Sequence, residues 1–152
     1  MAKEYKIKET EQHVLKEPTM SYTTESATHW DIIDILNTVF DASYFNNLWQ
    51  KVRNIGFNKT QYSEILNINP RTLDRNLKDK YTLDIDKSEK ALRLDYLITH
   101  GTKTFGSEEL FSNWINEYSI ALGKKPKELF NTITGIEIVD EELTRIEYGV
   151  FA

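Results

Sequence analysis

The chain has 152 residues, and its mix of 39% hydrophobic and 28% charged residues is that of a globular protein with one compact domain or two small ones. It contains no cysteine, which excludes disulfides, thiolate metal sites and a cysteine nucleophile, and its three scattered histidines do not suggest a metal site. Its formal net charge is −5, which by itself argues against a nucleic-acid partner.

The average charge conceals a basic island. Residues 50–82 carry seven Lys and Arg against three Asp and Glu, a net of +4, whereas residues 1–49 and residues 101–152 each have a net of −4. Charge asymmetry of this kind informs about partners rather than about fold. The island therefore brings an anionic partner back into consideration.

The first 27 residues are polar, and we expect a mobile arm at 1–27 unless its few apolar side chains dock on a partner. Residues 1–11 lack the apolar core of a signal peptide, and no apolar run approaches the roughly 20 residues that span a bilayer. A cytoplasmic protein without a membrane partner is the expectation.

Apolar residues at spacings of three and four predict an all-α fold with no credible alternating strand. The segment 136–138 alternates but is too short for a strand. In chain order, the first four predicted helices run from about His29 to Phe40, from Asp41 to Gly56, and over the short ranges 58–66 and 70–78. A longer helix follows from Asp86 or Ser88 to Phe105, and the next is capped by Ser107 and has an apolar stripe from Leu110 to Tyr118. A short helix at Pro126 carries Leu129 and Phe130, and a last helix is marked by Val139, Leu143, Ile146 and Val150.

Residues 57–75 fit a helix-turn-helix (HTH), which needs a short first helix, a tight turn with an apolar lock and a second helix with one polar face. Ile68 is the predicted lock, Asn67 and Asn69 suit the turn, and Pro70 suits a first helical position. Tyr62, Ile65, Leu66, Leu73 and Leu77 are expected to face the core.

The second helix of this pair is then the recognition helix, which presents polar side chains to the major groove of DNA. Arginine suits guanine and lysine suits phosphate, whereas Asp74 repels phosphate and is expected to accept from cytosine or to orient Arg75. The alternative is an ordinary pair of short helices with solvated charges. The candidate DNA-binding residues are Lys59, Arg71, Thr72, Asp74, Arg75, Lys78 and Lys80.

One such unit makes few contacts, so HTH proteins usually bind two half-sites as dimers. We therefore predict a homodimer. The helix from Trp30 to Phe40 is one candidate dimer surface, and its apolar stripe is equally well explained as core.

A more specific pattern occupies the C-terminal half and resembles the antitoxins of the Xre/MbcA/ParS family, which belong to RES–Xre toxin–antitoxin pairs. The resemblance covers about residues 50–152, and Asn67 stands where the family's turn commonly has glycine. The segments that carry it, in order, are Arg71–Arg75, Ser88–Leu94, Phe105-Gly106, Trp114-Ile115, Ala121–Pro126, Leu129–Thr132, Thr134-Gly135 and Leu143–Val150.

This resemblance implies a type II antitoxin. RES-domain toxins resemble ADP-ribosyltransferases and deplete NAD, and their antitoxins bind them, cover the active site and repress the shared operon. It implies a DNA-binding and dimerisation domain at 28–82, a toxin-binding domain at 83–152, and higher hetero-oligomers with the toxin. The alternative is a stand-alone dimeric HTH transcriptional regulator.

The residues themselves favour binding over catalysis. There is no Gly-rich phosphate loop after a strand, no Ser-His-Asp arrangement and no metal-ligand spacing, so we expect no enzyme activity, no cofactor and no metal. Trp114 is expected in the core rather than at an interface, and Gly123 and Gly135 at helix ends.

The last residues, 148–152, are apolar, and in this sequence the last of them bears the terminal carboxylate. A nucleotide-binding cleft accepts anionic groups, so this tail can enter the toxin's active site as a mimic; the equally weighted alternative is that Val150 and Phe151 pack on their own domain. The candidate toxin-binding residues are Arg145, Tyr148, Gly149, Val150, Phe151 and Ala152.

Overall fold

A computed structural model describes residues 42–79 and 83–149, and these form an all-α fold, as predicted. The arm at 1–27 and the predicted helix at 29–40 lie outside the described residues. Beside the helices, one isolated β-bridge joins Ser119 to Lys124. The elements are α1 Ala42–Asn54, α2 Lys59–Leu66, α3 Pro70–Lys78, α4 Ile85–Phe105, α5 Glu108–Asn116, a 3-10 helix Pro126–Leu129, and α6 Ile133–Glu147.

Asparagine chemistry sets the ends of α2 and α3. Asn58 and Gln61 form a reciprocal capping box at the start of α2, and Asn67 ends that helix in the left-handed conformation with φ 58°. The Oδ1 atom of Asn69 accepts from the backbone N–H of Arg71 at 2.9 Å, and Pro70 occupies the first turn of α3. The predicted turn between the two short helices is confirmed.

The long helix α4 begins slightly earlier than predicted because Asp84 caps it, accepting from the backbone N–H of Lys87 at 3.1 Å. It ends at Gly106, whose φ of 85° is left-handed. Ser107 then caps α5 by accepting from the backbone N–H of Leu110 at 3.1 Å, as predicted.

Helix α5 is shorter than its predicted apolar stripe. Phe111 and Ile115 are buried, but Leu110 lies on the solvent side. The chain becomes extended at Glu117, so Tyr118 falls beyond the helix and is exposed. The predicted apolar stripe from Leu110 to Tyr118 therefore runs beyond the helix, and its first and last residues do not belong to the buried face.

Helix α6 begins earlier than the apolar marker residues indicated. Thr132 caps it by accepting from the backbone N–H of Gly135 at 3.0 Å, so the segment 136–138 is helical and Ile136 is buried. Gly135 lies in the first turn of α6, where a Cβ would meet the carbonyl oxygen of Leu129 at 1.9 Å. A close approach between the 3-10 helix and α6 thus requires glycine here.

One hydrophobic core extends through all the described helices, with α4 packed between α1, α5 and α6. Trp114 is half-buried and packs beside Phe105 and Phe111, with ring centroids 5.4 and 6.2 Å away. Among residues 42–79 and 83–149, no helix is long and apolar enough to cross a membrane. The fully buried large side chains are Tyr62, Phe45, Phe111, Phe130, Leu48, Ile55, Leu66, Leu73, Leu94, Leu97, Ile98 and Ile115.

Candidate nucleic-acid and protein interfaces

The α2–α3 pair is held from beneath by aromatic and aliphatic side chains. Tyr62 is fully buried and stacks on Trp49 of α1 with ring centroids 5.6 Å apart. Ile68 is half-buried against the core, and its backbone N–H donates to the carbonyl of Ser63 at 2.9 Å. These contacts fix the angle between α2 and α3, as an HTH requires.

The outer face of α3 carries three cations and one carboxylate. Arg71, Arg75 and Lys78 are exposed and Asp74 is half-exposed, and their spacing of three and four residues places them on one helical face. Thr72 lies at the side of this face and is half-exposed. The α3 face, meaning Arg71, Asp74, Arg75 and Lys78, is the surface that a recognition helix would turn towards DNA.

Lys59 and Asp74 form an ion pair between the start of α2 and the middle of α3. The Nζ atom of Lys59 lies 2.7 Å from Oδ1 of Asp74, and both side chains are half-exposed. The hydrogen bond from Lys59, its charge and the more distant charge of Lys78 hold the pKa of the Asp74 carboxyl below its usual range. Two candidate DNA-binding residues are therefore joined to each other, whereas Lys80 lies outside the described residues.

Sequence analysis missed one residue of α3. Asn76 is only 1% exposed, and neither Oδ1 nor Nδ2 of its amide has a hydrogen-bond partner in the described structure. Its spacing of three from Leu73 places it on the core face, which is the signal that marks it. It belongs to the inner side of α3 and takes no part in the α3 face.

A polar cluster joins α1 to α4. Asp95 accepts from Nζ of Lys51 at 2.6 Å and from the hydroxyl of Tyr44 at 3.1 Å. Burial, together with the neighbouring Asp95 carboxylate, holds the pKa of Tyr44 well above its usual value. The cluster connects α1 to the long helix, and no spacing along the sequence reveals it because Asp95 is more than forty residues from both Tyr44 and Lys51.

The C-terminal half of α6 is attached to α4 by polar side-chain contacts. Nδ1 of His100 lies 2.6 Å from Oδ1 of Asp140, and its Nε2 lies 3.2 Å from Oε2 of Glu147. Nearer the start of α6, Arg93 donates to Glu137 at 2.7 Å. These contacts hold the end of α6 in place, and of the candidate toxin-binding residues Arg145 lies in its last turn and the others follow it.

The candidate toxin-binding residues that the structure describes are exposed. Arg145 pairs with Glu142 across one helical turn at 3.3 Å, and Tyr148 at the end of α6 is 76% exposed. Gly149 follows with a left-handed φ of 67°. Val150, Phe151 and Ala152 lie outside the described residues, so whether they extend away or fold back stays a prediction.

Further apolar side chains are exposed in the C-terminal half. Ile120 is 92% exposed in a turn that the backbone hydrogen bond from Ser119 to Lys124 closes at 3.1 Å. Gly123 lies in this turn with φ 68°, so its predicted position at a helix end was wrong.

The described residues contain no group of three or more His, Asp or Glu side chains that could hold a metal ion. Two surfaces of the described residues correspond to the predicted sites: the basic α3 face, and the end of α6 with the exposed side chains of Arg145 and Tyr148.

Two family models match the chain. One, described as an antitoxin Xre-like helix-turn-helix domain, matches residues 50–94. The other, described as the antitoxin Xre/MbcA/ParS C-terminal toxin-binding domain, matches residues 100–149. Together they cover more than half of the chain, in the order that the sequence predicted, and no curated protein matches it.

Proposed function

Because the chain belongs to the Xre/MbcA/ParS antitoxin family, with an HTH domain followed by a toxin-binding domain, we propose that it neutralises a RES-domain toxin that depletes NAD and that it represses its own operon. Membership of the family indicates a type II antitoxin with a toxin partner and a DNA-binding unit. The proposal adds the class of toxin, a homodimer on DNA, and the residues of each contact.

The DNA-binding part of the proposal rests on the α3 face. Arg71, Arg75 and Lys78 protrude from a short helix whose opposite side is anchored in the core, so the cations are held at fixed spacing. Arginine forks match the two acceptors of guanine, and lysines neutralise phosphates. We assign Arg71 and Arg75, with Thr72 beside them, to base edges, and Lys59, Lys78 and Lys80 to the backbone.

Substitution in the α3 face separates these roles. Arg71→Ala and Arg75→Ala should each weaken binding to the operon's promoter by about 1–3 kcal/mol and relax its sequence preference. Lys78→Ala should weaken binding to all duplexes alike and reduce the salt slope by about one. Titration of a fluorescent duplex at several salt concentrations measures both effects.

Glu64→Ala provides a matched control for these variants, because Glu64 is exposed on α2, is not a cation and does not belong to the α3 face. Its affinity for the promoter should stay close to that of the unsubstituted protein. If Arg71→Ala and Arg75→Ala also leave promoter binding intact, the assignment of α3 as recognition helix is wrong.

The exposed end of α6 carries the toxin-binding half of the proposal. Arg145 and Tyr148 project from the last turn, and the apolar residues up to Ala152 follow. We propose that this tail, residues 148–152, covers the toxin's active site. Toxin binding is assigned to 83–152 and DNA binding with dimerisation to 28–82.

Co-expression with an adjacent RES-domain toxin gene tests the toxin half. The full chain should restore growth and cellular NAD, whereas a chain lacking residues 149–152 should restore them poorly because the active site stays open. The truncated chain should keep its circular dichroism spectrum and its promoter affinity. Rescue by the truncated chain would refute the role of the tail, and failure of the full chain to rescue would favour a stand-alone regulator.

A further inference from the structure

The α3 face contains a group that DNA binding alone does not explain. Asp74 places a carboxylate among Arg71, Arg75 and Lys78, on the surface that we assign to DNA. A negative charge there opposes the approach of phosphates, and its low pKa keeps it ionised at neutral pH. The residue thus weakens the general affinity of the face for DNA.

Asp74 also lowers the contribution of Lys59. The lysine Nζ is bound to Oδ1 of Asp74 at 2.7 Å, so the pair is close to neutral when DNA arrives. Non-specific affinity depends on the number of phosphates that cations neutralise and on the counterions released. A lysine that is already paired releases fewer counterions than one that faces phosphate alone.

The ion pair leaves the carboxylate able to accept another hydrogen bond. In the described part of the chain, Lys59 contacts it through Oδ1, and a carboxylate has acceptor capacity on both oxygens. In the major groove, aspartate accepts from the N4 amino group of cytosine. Lys59 holds the side chain across the gap between α2 and α3 and so restricts where this acceptor points.

We propose that Asp74 is the specificity-determining residue of the α3 face, with Lys59 as its positioning residue. The carboxylate weakens binding to DNA in general, and a base that presents an amino donor such as cytosine N4 restores it. This inference rests on the proposed DNA-binding function and adds a discriminating group to it.

Asp74→Asn tests the inference in the full chain. The change removes the charge, keeps the size, and replaces one acceptor oxygen with a donor. Affinity is measured at several salt concentrations for a duplex from the operon's own promoter and for a shuffled duplex of the same composition. We expect tighter binding to the shuffled duplex, a salt slope steeper by about one, and a promoter preference reduced roughly fivefold or more.

Asp79→Asn is the matched control. Asp79 is exposed, lies at the end of the same helix, and caps it through its backbone N–H rather than its carboxylate. Asp79→Asn removes the same charge without disturbing Lys59. It should therefore change the promoter preference much less than Asp74→Asn does. Lys59→Ala should also lower the preference for the promoter over the shuffled duplex. This effect on the preference should largely disappear when Asp74 is already Asn.

The outcomes separate this inference from the function on which it rests. If the unsubstituted chain binds neither duplex, DNA binding fails and the inference fails with it. If the chain prefers its promoter but Asp74→Asn leaves both the preference and the salt slope unchanged, only the inference is overturned. Equal weakening on both duplexes also overturns it, because that result assigns Asp74 a structural role.

Discussion

Single residues decide where the helices of this protein meet. Gly135 permits the 3-10 helix to approach α6 because no side chain stands between its Cα and the carbonyl of Leu129. Gly101 does the same on α4, where a Cβ would lie 2.2 Å from the ring of Phe111. Both glycines lie inside helices, where alanine is otherwise the better residue, so packing overrides helix propensity at these positions.

Gly135→Ala is therefore expected to destabilise the protein, by about 2 kcal/mol, because the new methyl group collides with backbone atoms that cannot turn away. Urea denaturation followed by circular dichroism measures the change. Thr134→Ala is the control, since Thr134 is exposed in the same turn, and its effect should stay within about 0.5 kcal/mol. An unchanged midpoint for Gly135→Ala would contradict the close approach.

At the scale of elements, α2 and α3 are defined by local capping and held together by a turn. Asn67 supplies a left-handed residue, and the following N–H, that of Ile68, returns to the carbonyl of Ser63. Because these interactions span five residues or fewer, they are readable from the sequence. The position of the α2–α3 pair in the fold cannot be read from the sequence, since it depends on Trp49 in α1 and on helix α4.

Substitution of Asn67 tests this turn. Asn67→Ala should cost about 1 kcal/mol because alanine is strained in the left-handed conformation, whereas Asn67→Gly should keep or slightly raise the stability. Thermal denaturation distinguishes the two variants, and the glycine variant should retain promoter binding. Equal stability of both variants would show that the turn does not depend on a left-handed residue.

On the scale of the whole molecule, the described residues are organised around α4. The family match to the HTH domain ends at residue 94, within this helix, and the match to the toxin-binding domain begins at residue 100 near its end. Ala91, Leu94, Leu97 and Ile98 of α4 are buried in the one core that also includes residues of α1, α5 and α6. The two matched domains thus meet within one helix instead of being connected by a linker.

One cooperative unfolding transition is expected as a result. Trp49 lies in the HTH half and Trp114 in the toxin-binding half. Two variants that each keep one of these as the sole tryptophan, with Trp30 also replaced, report on the halves separately. Their fluorescence should change at the same urea concentration as the far-ultraviolet circular dichroism. Midpoints that differ clearly between the two variants would contradict a shared core.

By itself, the sequence determined the all-α class, the HTH with its turn, the basic island and the family. Caps such as Asn58, Asn69 and Ser107 act on their own neighbours, so their effect can be read from adjacent residues. The apolar stripe predicted for α5 extends past the helix, which ends before Tyr118, and Leu110 faces solvent because the buried side of a helix depends on what packs against it.

Only the tertiary structure decided which side chains work together. It paired Lys59 with Asp74 and brought Lys51 and Tyr44 to Asp95, and it turned Asn76 inward. Contacts between residues fifteen to fifty-one positions apart arise from the packing of whole helices, and no local spacing encodes that packing. Net charge along the chain therefore located the basic surface, whereas folding determined which of its charges are already paired.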